Sequence, residues 1–249
     1  STRDMTALLI LFAAFFTAAL SAVFGMAGGL VLMGVLALLL PVSAAMVTHG
    51  VLQSVSNGWR AILLRRWIMG GTLAIYLIGA AAAAGGLALL SVQLDTAWLL
   101  IVLGLTPLLV WTPARWFAFD MHRPVDAVLC GFAVTALNTI AGVAGPLLDV
   151  FFQTTPGDRR AIVATKAATQ VVAHAVKIVY YLAPALASGA APAVWILVAA
   201  AAVSVAGTTL GARGLARLSD TAFRAWTKRL VTAIGAVYAA QGLWMLFGG

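Results

Sequence analysis

Four polar residues recur at regular spacing in an otherwise apolar segment, residues 165–182. They are Lys166, Gln170, His174 and Lys177, which follow one another at intervals of four, four and three residues. On a helix with 3.6 residues per turn these positions share one face. Ammonium, amide and imidazole groups can all donate hydrogen bonds, so this face suits the recognition of an anion.

A second polar stripe with the same spacing lies 117 residues earlier in the chain. It consists of His49, Gln53, Asn57 and Arg60. Gln53 coincides with Gln170 without a gap, which indicates an internal duplication. We expect the two stripes to face each other inside the protein. The membrane-embedded charges would then be Arg60, Lys166 and Lys177 against Asp149 alone, an excess of cations that favours an anionic substrate.

Each charged residue also has a structural interpretation. Arg60 precedes Arg65 by five residues and Lys177 lies toward the end of its helix, so either side chain can instead extend to the membrane interface. Lys166 lies deeper and can bind substrate or pair with Asp149. Asp149 can close that salt bridge or take a coupling proton. A coupling or gating role for Arg60, Asp149 and Lys177 therefore stays open.

The amides and imidazoles have alternatives of the same kind. Gln53 and Gln170 can line the site or form interhelical hydrogen bonds, a common fate of buried amides in membranes. Their symmetric placement favours the site. His49 and His174 can be core imidazoles, anion ligands or proton carriers, because histidine titrates near neutral pH.

Two glycine-containing breaks interrupt the apolar segments, "GMAGG" at 25–29 and "GVAGP" at 142–146. A short helix that starts at such a break offers free backbone N–H groups and the positive end of its dipole to an anion. Glycines also allow close approach of the backbone to a ligand. The candidate glycines are Gly25, Gly28, Gly29, Gly142 and Gly145.

The composition requires a membrane for these elements. Hydrophobic residues make up 63% of the chain, charged residues 9%, and the mean hydropathy is +1.05, whereas soluble domains contain about 25% charged residues. The net charge of +8 is scattered between apolar segments, which fits the positive-inside rule rather than nucleic-acid binding. The single cysteine, Cys130, excludes a disulfide framework within the chain.

The apolar segments predict an all-α polytopic membrane protein. Two segments are too short to span and follow the breaks, which predicts hairpins that dip into the membrane. The segments lie near 5–24, 28–40, 43–66, 70–91, 96–113, 124–142, 145–155, 158–183, 191–211 and 221–247. We expect one transmembrane domain over 1–249, built from repeats at about 5–113 and 124–247. Each repeat would be a Gly-tipped hairpin followed by three spanning helices.

The basic residues orient the two repeats. Clusters such as Arg65 and Arg66 or Arg159 and Arg160 mark cytoplasmic ends, while the connections near 91–96 and 183–193 contain neither lysine nor arginine. These assignments place the N-terminus in the periplasm and give the two halves opposite orientations. Inverted repeats with broken helices are a recurring transporter plan with a site near the midplane.

The breaks and the basic helices resemble the TauE/SafE sulfite exporter family over essentially the whole chain. The resemblance lies in "GMAGGLVLMGVLALLLPVSAA", and in "GFAVTALNTIAGVAGPLLDVFF" followed by "DRRAIVATKAATQVVAHAVKIVYY". It implies export or uptake of sulfite, sulfonates such as sulfoacetate, or other small organic anions across a bacterial inner membrane.

The predicted function is therefore a secondary transporter, with export as the predicted direction and alternating access around a midplane site. An intramembrane enzyme acting on a lipid phosphate is the alternative, but the chain has no Glu and no nucleophilic serine motif. A small-anion channel shares every feature with the transporter. We expect no catalytic residue, metal or cofactor, and we expect the anion and the lipid bilayer as partners rather than nucleic acid, with the oligomeric state left open.

Overall fold

The computed structural model describes residues 2–24, 27–113, 115–189, 191–215 and 220–248, and these residues form helices and no strand. The helices are α1 (Thr2–Phe24), α2 (Ala27–Leu39), α3 (Val42–Leu63), α4 (Gly70–Leu90), α5 (Thr96–Leu105), α6 (Pro124–Ala141), α7 (Gly145–Phe152), α8 (Arg159–Ala187), α9 (Val194–Leu215) and α10 (Asp220–Phe247). The predicted all-α class is confirmed for this part of the chain.

Six helices in the described residues are long and apolar enough to cross a membrane, namely α1, α4, α6, α8, α9 and α10. An apolar helix needs about 20 residues to span the hydrocarbon core. The chain is therefore a multi-pass membrane protein, as its composition predicts.

The first half departs from the expected three apolar spans after its hairpin. α3 has the necessary length, 22 residues, but its polar stripe makes it less apolar than the six helices above. α5 has only 10 residues and continues as a 3-10 helix, Thr106–Trp111. Pro107 lies at the start of that 3-10 helix, and proline has no N–H to continue the α-helical hydrogen bonds. In the second half α8, α9 and α10 all have spanning length.

The two short helices follow the glycine breaks, as predicted. α6 ends at Ala141, and Gly142 adopts a left-handed conformation with φ of +81° before α7 begins. Glycine takes this conformation without a steric penalty. At the first break Gly25 lies outside the described residues. Gly28 packs α2 closely on α1, because a Cβ there would lie 2.0 Å from the carbonyl oxygen of Thr17.

Helices of the two halves pack against one another in pairs. α3 contacts α8, α1 contacts α9, α4 contacts α6, and α5 contacts α10. α3 and α8 are antiparallel, because Gly50 lies against Ile178 while Gly58, two turns later, lies against Val171. This pairing brings the two polar stripes together in the centre of the molecule.

Candidate functional site

One cavity of about 350 Å³ lies between α3, α8 and the second break. Its lining includes most of the predicted site residues, namely Gly29, His49, Gln53, Asn57, Arg60, Gly145, Asp149, Lys166, Gln170 and His174. Gly28, Gly142 and Lys177 lie near it without lining it. The two polar stripes therefore face a shared internal space.

The cavity has two different ends. Arg60 is near the last turn of α3 and Arg159 is the first residue of α8, and both line the cavity. We call this the arginine end. At the opposite level the lining stops at His49 and His174, one turn of α8 before the buried Lys177. We call this the far end.

Lys166 forms an ion pair with Asp149 inside the cavity. The two side chains are 30% and 37% exposed, so the pair remains accessible from the cavity space. Asp149 is in α7, directly after the second break, and Lys166 is two turns into α8. The structural alternative for Lys166 is thus realised, and the same ammonium still lines the cavity.

His49 uses both ring nitrogens within the protein. Nε2 lies 2.9 Å from the carbonyl oxygen of Gly29, which can only accept, so Nε2 is the protonated nitrogen. Nδ1 then accepts a hydrogen bond from Nζ of Lys177 at 2.8 Å. The imidazole of His49 is therefore fixed between α2 and α8.

Lys177 is fully buried, which corrects the alternative that it extends to the membrane interface. Besides His49, its ammonium donates to the carbonyl oxygen of Gly142 at 2.8 Å. A buried ammonium is costly in a membrane unless such acceptors compensate it. Lys177 thus connects α8 to α3 and to the second break.

His174 differs from His49 because one of its nitrogens has no protein partner. Nδ1 of His174 lies 3.4 Å from the side-chain amide of Asn138, and which of the two groups donates depends on the imidazole tautomer. Within the described ranges no group bonds to Nε2, although His174 is only 3% exposed and lines the cavity. Its ring lies edge to face with that of His49, with centroids 5.5 Å apart. His174 therefore presents an unbonded ring nitrogen, Nε2, to the cavity.

Among the amides, Asn57 is tied to its own helix. Its Nδ2 donates to the backbone oxygen of Gln53 at 3.0 Å and lies 3.4 Å from Oε1 of the same residue. Gln170 has no hydrogen-bond partner in the portion of the chain that the structure covers. Its amide is available to a molecule in the cavity.

Comparison with known proteins identifies the family. The chain matches the description "Sulfite exporter TauE/SafE" over residues 10–238, nearly its whole length. The chain belongs to the TauE/SafE sulfite exporter family. No curated protein and no solved structure matches it. TauE/SafE is a family of transporters rather than enzymes, and membership implies a membrane exporter of sulfite or another sulfur compound.

In this TauE/SafE protein the cavity also includes residues that sequence reasoning missed. Arg159, Ser21 and Thr227 all line it. The sequence contained a signal for Arg159, because it lies seven residues before Lys166 and so extends the polar stripe by two turns toward the helix start. Ser21 lies on an apolar helix and Thr227 directly precedes Lys228 and Arg229, and no spacing marked either residue as part of a polar stripe.

The charges of the cavity suit an anion. Its lining has three basic residues, Arg60, Arg159 and Lys166, against one carboxylate, Asp149. The guanidinium of Arg60 makes no hydrogen bond or ion pair with any residue that the structure describes. Those residues also contain no cluster of three or more His, Cys, Asp or Glu side chains for a metal ion. The arginine end of this TauE/SafE cavity is thus electropositive.

Proposed function

We propose that this TauE/SafE protein is a secondary transporter that exports small sulfur-containing anions, such as sulfite or sulfonates, from the cytoplasm of a bacterium. The observation that supports this most directly is the cavity itself, which combines an uncommitted guanidinium with an ion-paired lysine and neutral donors. Charged side chains inside a membrane are energetically costly, and they commonly mark substrate or ion pathways.

The proposed binding mode assigns different roles to the lining residues. Arg60 presents a planar fork of donors that matches two oxygens of a sulfite or sulfonate group. Lys166 binds the anion in exchange for Asp149. Gln170 and the Nε2–H of His174 donate to remaining oxygens. These donors are neutral, so they orient the anion without adding charge.

The breaks contribute backbone groups to the same space. Gly29 and Gly145 line the cavity, and α7 begins at Gly145 with Pro146 in its first turn. Backbone N–H groups at a helix start attract anions. We therefore include Gly25, Gly28, Gly29, Gly142 and Gly145 in the proposed site, with Gly28 and Gly142 supporting the backbone around it.

Alternating access would use the relation between the repeats at about 5–113 and 124–247, within one transmembrane domain. Helices at equivalent positions of an inverted repeat run in opposite directions. α3 and its equivalent α8 are antiparallel, and so are α5 and α10, where Gly104 lies against Gly235 and Ala97 against Gly242. This supports an inverted repeat with the cavity at its centre.

The positive-inside rule supports the orientation. Arg65 and Arg66 follow α3, and Arg159 and Arg160 begin α8, so both helices have their basic ends on one side. We assign that side to the cytoplasm and the N-terminus to the periplasm. The cavity is then accessible from the cytoplasm and closed toward the periplasm.

The test is counterflow in proteoliposomes. Vesicles preloaded with unlabelled sulfite, sulfoacetate or a carboxylate of similar size are diluted into trace labelled anion, and transient accumulation of label is measured. A carrier gives accumulation that saturates with anion concentration. A channel equilibrates the label without accumulation, and absence of flux for every anion would reject transport of this class.

Two variants and two controls connect the flux to the cavity. We expect Lys166→Ala to lower the flux more than tenfold and Gln170→Ala to lower it severalfold. Lys228→Ala and Gln153→Ala remove the same groups at exposed positions that do not line the cavity, and they should leave the flux near wild type. Equal effects of the cavity and control substitutions would contradict the proposed site.

A further inference from the structure

The far end of the cavity is closed by a group of contacts that the binding site does not need. Nζ of Lys177 donates to Nδ1 of His49 and to the carbonyl oxygen of Gly142, each at 2.8 Å. His49 continues the chain of bonds to the carbonyl oxygen of Gly29 at 2.9 Å. One lysine therefore links the backbone beside both glycine breaks across the two halves.

The helix crossing beside Lys177 is closed at the same level. Gly50 is one residue after His49 and Ile178 one residue after Lys177, and a Cβ on Gly50 would lie 2.7 Å from Cγ1 of Ile178. Such a distance leaves no room for water or an ion. Toward the arginine end the packing is looser, because a Cβ on Gly58 would lie 3.9 Å from Cγ2 of Val171.

We propose that Lys177, His49 and Gly142, with the Gly50–Ile178 contact, form the gate that closes the cavity at its far end. Passage of an anion through that end requires both hydrogen bonds of the Lys177 ammonium to break and α3 to separate from α8 at Gly50. Lys177 is thus a positioning residue for transport rather than a ligand of the anion. This inference rests on the proposed transport function.

The bonding pattern explains why a lysine suits this position. The ammonium has three donors, and two of them satisfy acceptors on different moving parts, α3 and the second break. When the parts separate, the acceptors and the ammonium can be solvated by water that enters the open end. The bonds therefore hold the closed state without making its opening prohibitively costly.

The first test locks the gate with a disulfide. In a Cys130→Ala background, Gly50→Cys and Ile178→Cys place two Cβ atoms about 4 Å apart, within the range of a disulfide. We expect oxidation to abolish counterflow and a reductant to restore it. The matched controls are the single variants Gly50→Cys and Ile178→Cys, which cannot form the crosslink and should each retain at least half of the flux when oxidised. Full flux through the oxidised Gly50–Ile178 pair, or equal loss in the single variants, would overturn the gate.

The second test does not depend on knowing the anion. Ala144→Cys, again with Cys130→Ala, places a thiol in the cavity lining. A membrane-impermeant methanethiosulfonate reagent is applied to each side of sealed vesicles of one orientation. We expect Lys177→Met to raise the labelling rate from the far side fivefold or more, and Lys228→Met, which removes an exposed lysine, to leave it unchanged.

The two tests separate the two proposals. If the reduced proteins carry none of the anions, the proposed function fails, while the labelling rates still decide the gate. If Lys177→Met leaves far-side labelling unchanged or lowers it in a folded protein, the gate is rejected even where counterflow is intact.

Discussion

The two polar stripes have the same spacing but their members engage different partners. In the second half Lys166 pairs with Asp149 and Lys177 is buried with two acceptors. At the equivalent positions of the first half, His49 bonds through both nitrogens and Arg60 faces the cavity without a partner in the described part of the chain. Equivalent sequence positions thus differ in both charge and bonding.

Because α3 and α8 are antiparallel, equivalent residues of the two stripes lie at opposite ends of the cavity. This arrangement separates Arg60 from its equivalent, Lys177. The same position in the two stripes therefore serves the open end in one half and the closed end in the other. The proposed duplication would account for the shared spacing, and the different residues at equivalent positions would account for the two proposed roles.

The largest effect we expect comes from the packing of the first break. Gly28→Ala would place a Cβ 2.0 Å from the backbone oxygen of Thr17, which can move only with α1. Overpacking of this kind costs about 1–3 kcal/mol or more. We expect a loss of thermal stability of several degrees and poor recovery of folded protein. The neighbour Gly29→Ala meets only the movable amide of Gln53, at 3.2 Å, and should fold normally. Equal melting temperatures for the two variants would show that α1 and α2 pack less closely.

Arg60 and Arg65 provide the next comparison. Arg60→Gln removes the uncommitted guanidinium, and we expect the KM for sulfite counterflow to rise about tenfold or more, since hydrogen bonds to charged groups contribute about 1.5–3 kcal/mol. Arg65 is exposed one turn later, beyond the cavity, so Arg65→Gln should change KM less than twofold. A similar KM for both variants would mean that Arg60 only marks the interface.

The role of His174 can be tested with two substitutions. His174→Gln keeps an N–H donor near the cavity and His174→Leu removes it. We expect the leucine variant to lower the maximal counterflow rate about tenfold and the glutamine variant to retain most of it. Were the histidine a proton carrier instead, both variants would lose the dependence of flux on a proton gradient.

A substitution of Asp149 should have the smallest effect, and it should lower the KM for the anion rather than raise it. Asp149→Asn keeps the shape of the side chain but releases Lys166 from its ion pair. We expect the KM for the anion to fall about threefold, because the incoming anion no longer displaces a carboxylate. A thermal unfolding measurement without dye should show how much the Lys166–Asp149 ion pair also stabilises the fold. A raised KM would contradict this expectation and would assign Asp149 to the binding of the substrate or of a coupled cation.

Much of the site was predictable because its signals are local. The spacing of Gln53, Gln170 and His174 determined a helix face, and the excess of apolar residues determined that this face points inward. Together, the shared face and its inward direction predict that these residues line an internal cavity. The all-α class and the short helices after the breaks followed from segment length in the same way.

The sequence did not determine how deeply each polar side chain is buried or which residues it bonds to. Spacing places Lys177 on the same face as Lys166, yet whether it reaches the interface depends on the position of α8 along its axis and on the acceptors nearby. Those acceptors, His49 and Gly142, are 128 and 35 residues away. The end of α5 was missed for a related reason, since Pro107 changes the helix type inside one continuous apolar segment.

The arginine end has a consequence for the kinetics of loading. Arg60 and Arg159 face the opening of the cavity, whereas the far end is closed by groups that already bond to one another. A concentrated positive field raises the encounter rate of anions from its own side. Because the Debye length is about 10 Å at 0.1 M salt, this advantage shrinks as ionic strength rises. At equal anion concentrations on both sides, we therefore expect faster loading from the arginine end than from the far end, and this difference should shrink in concentrated salt.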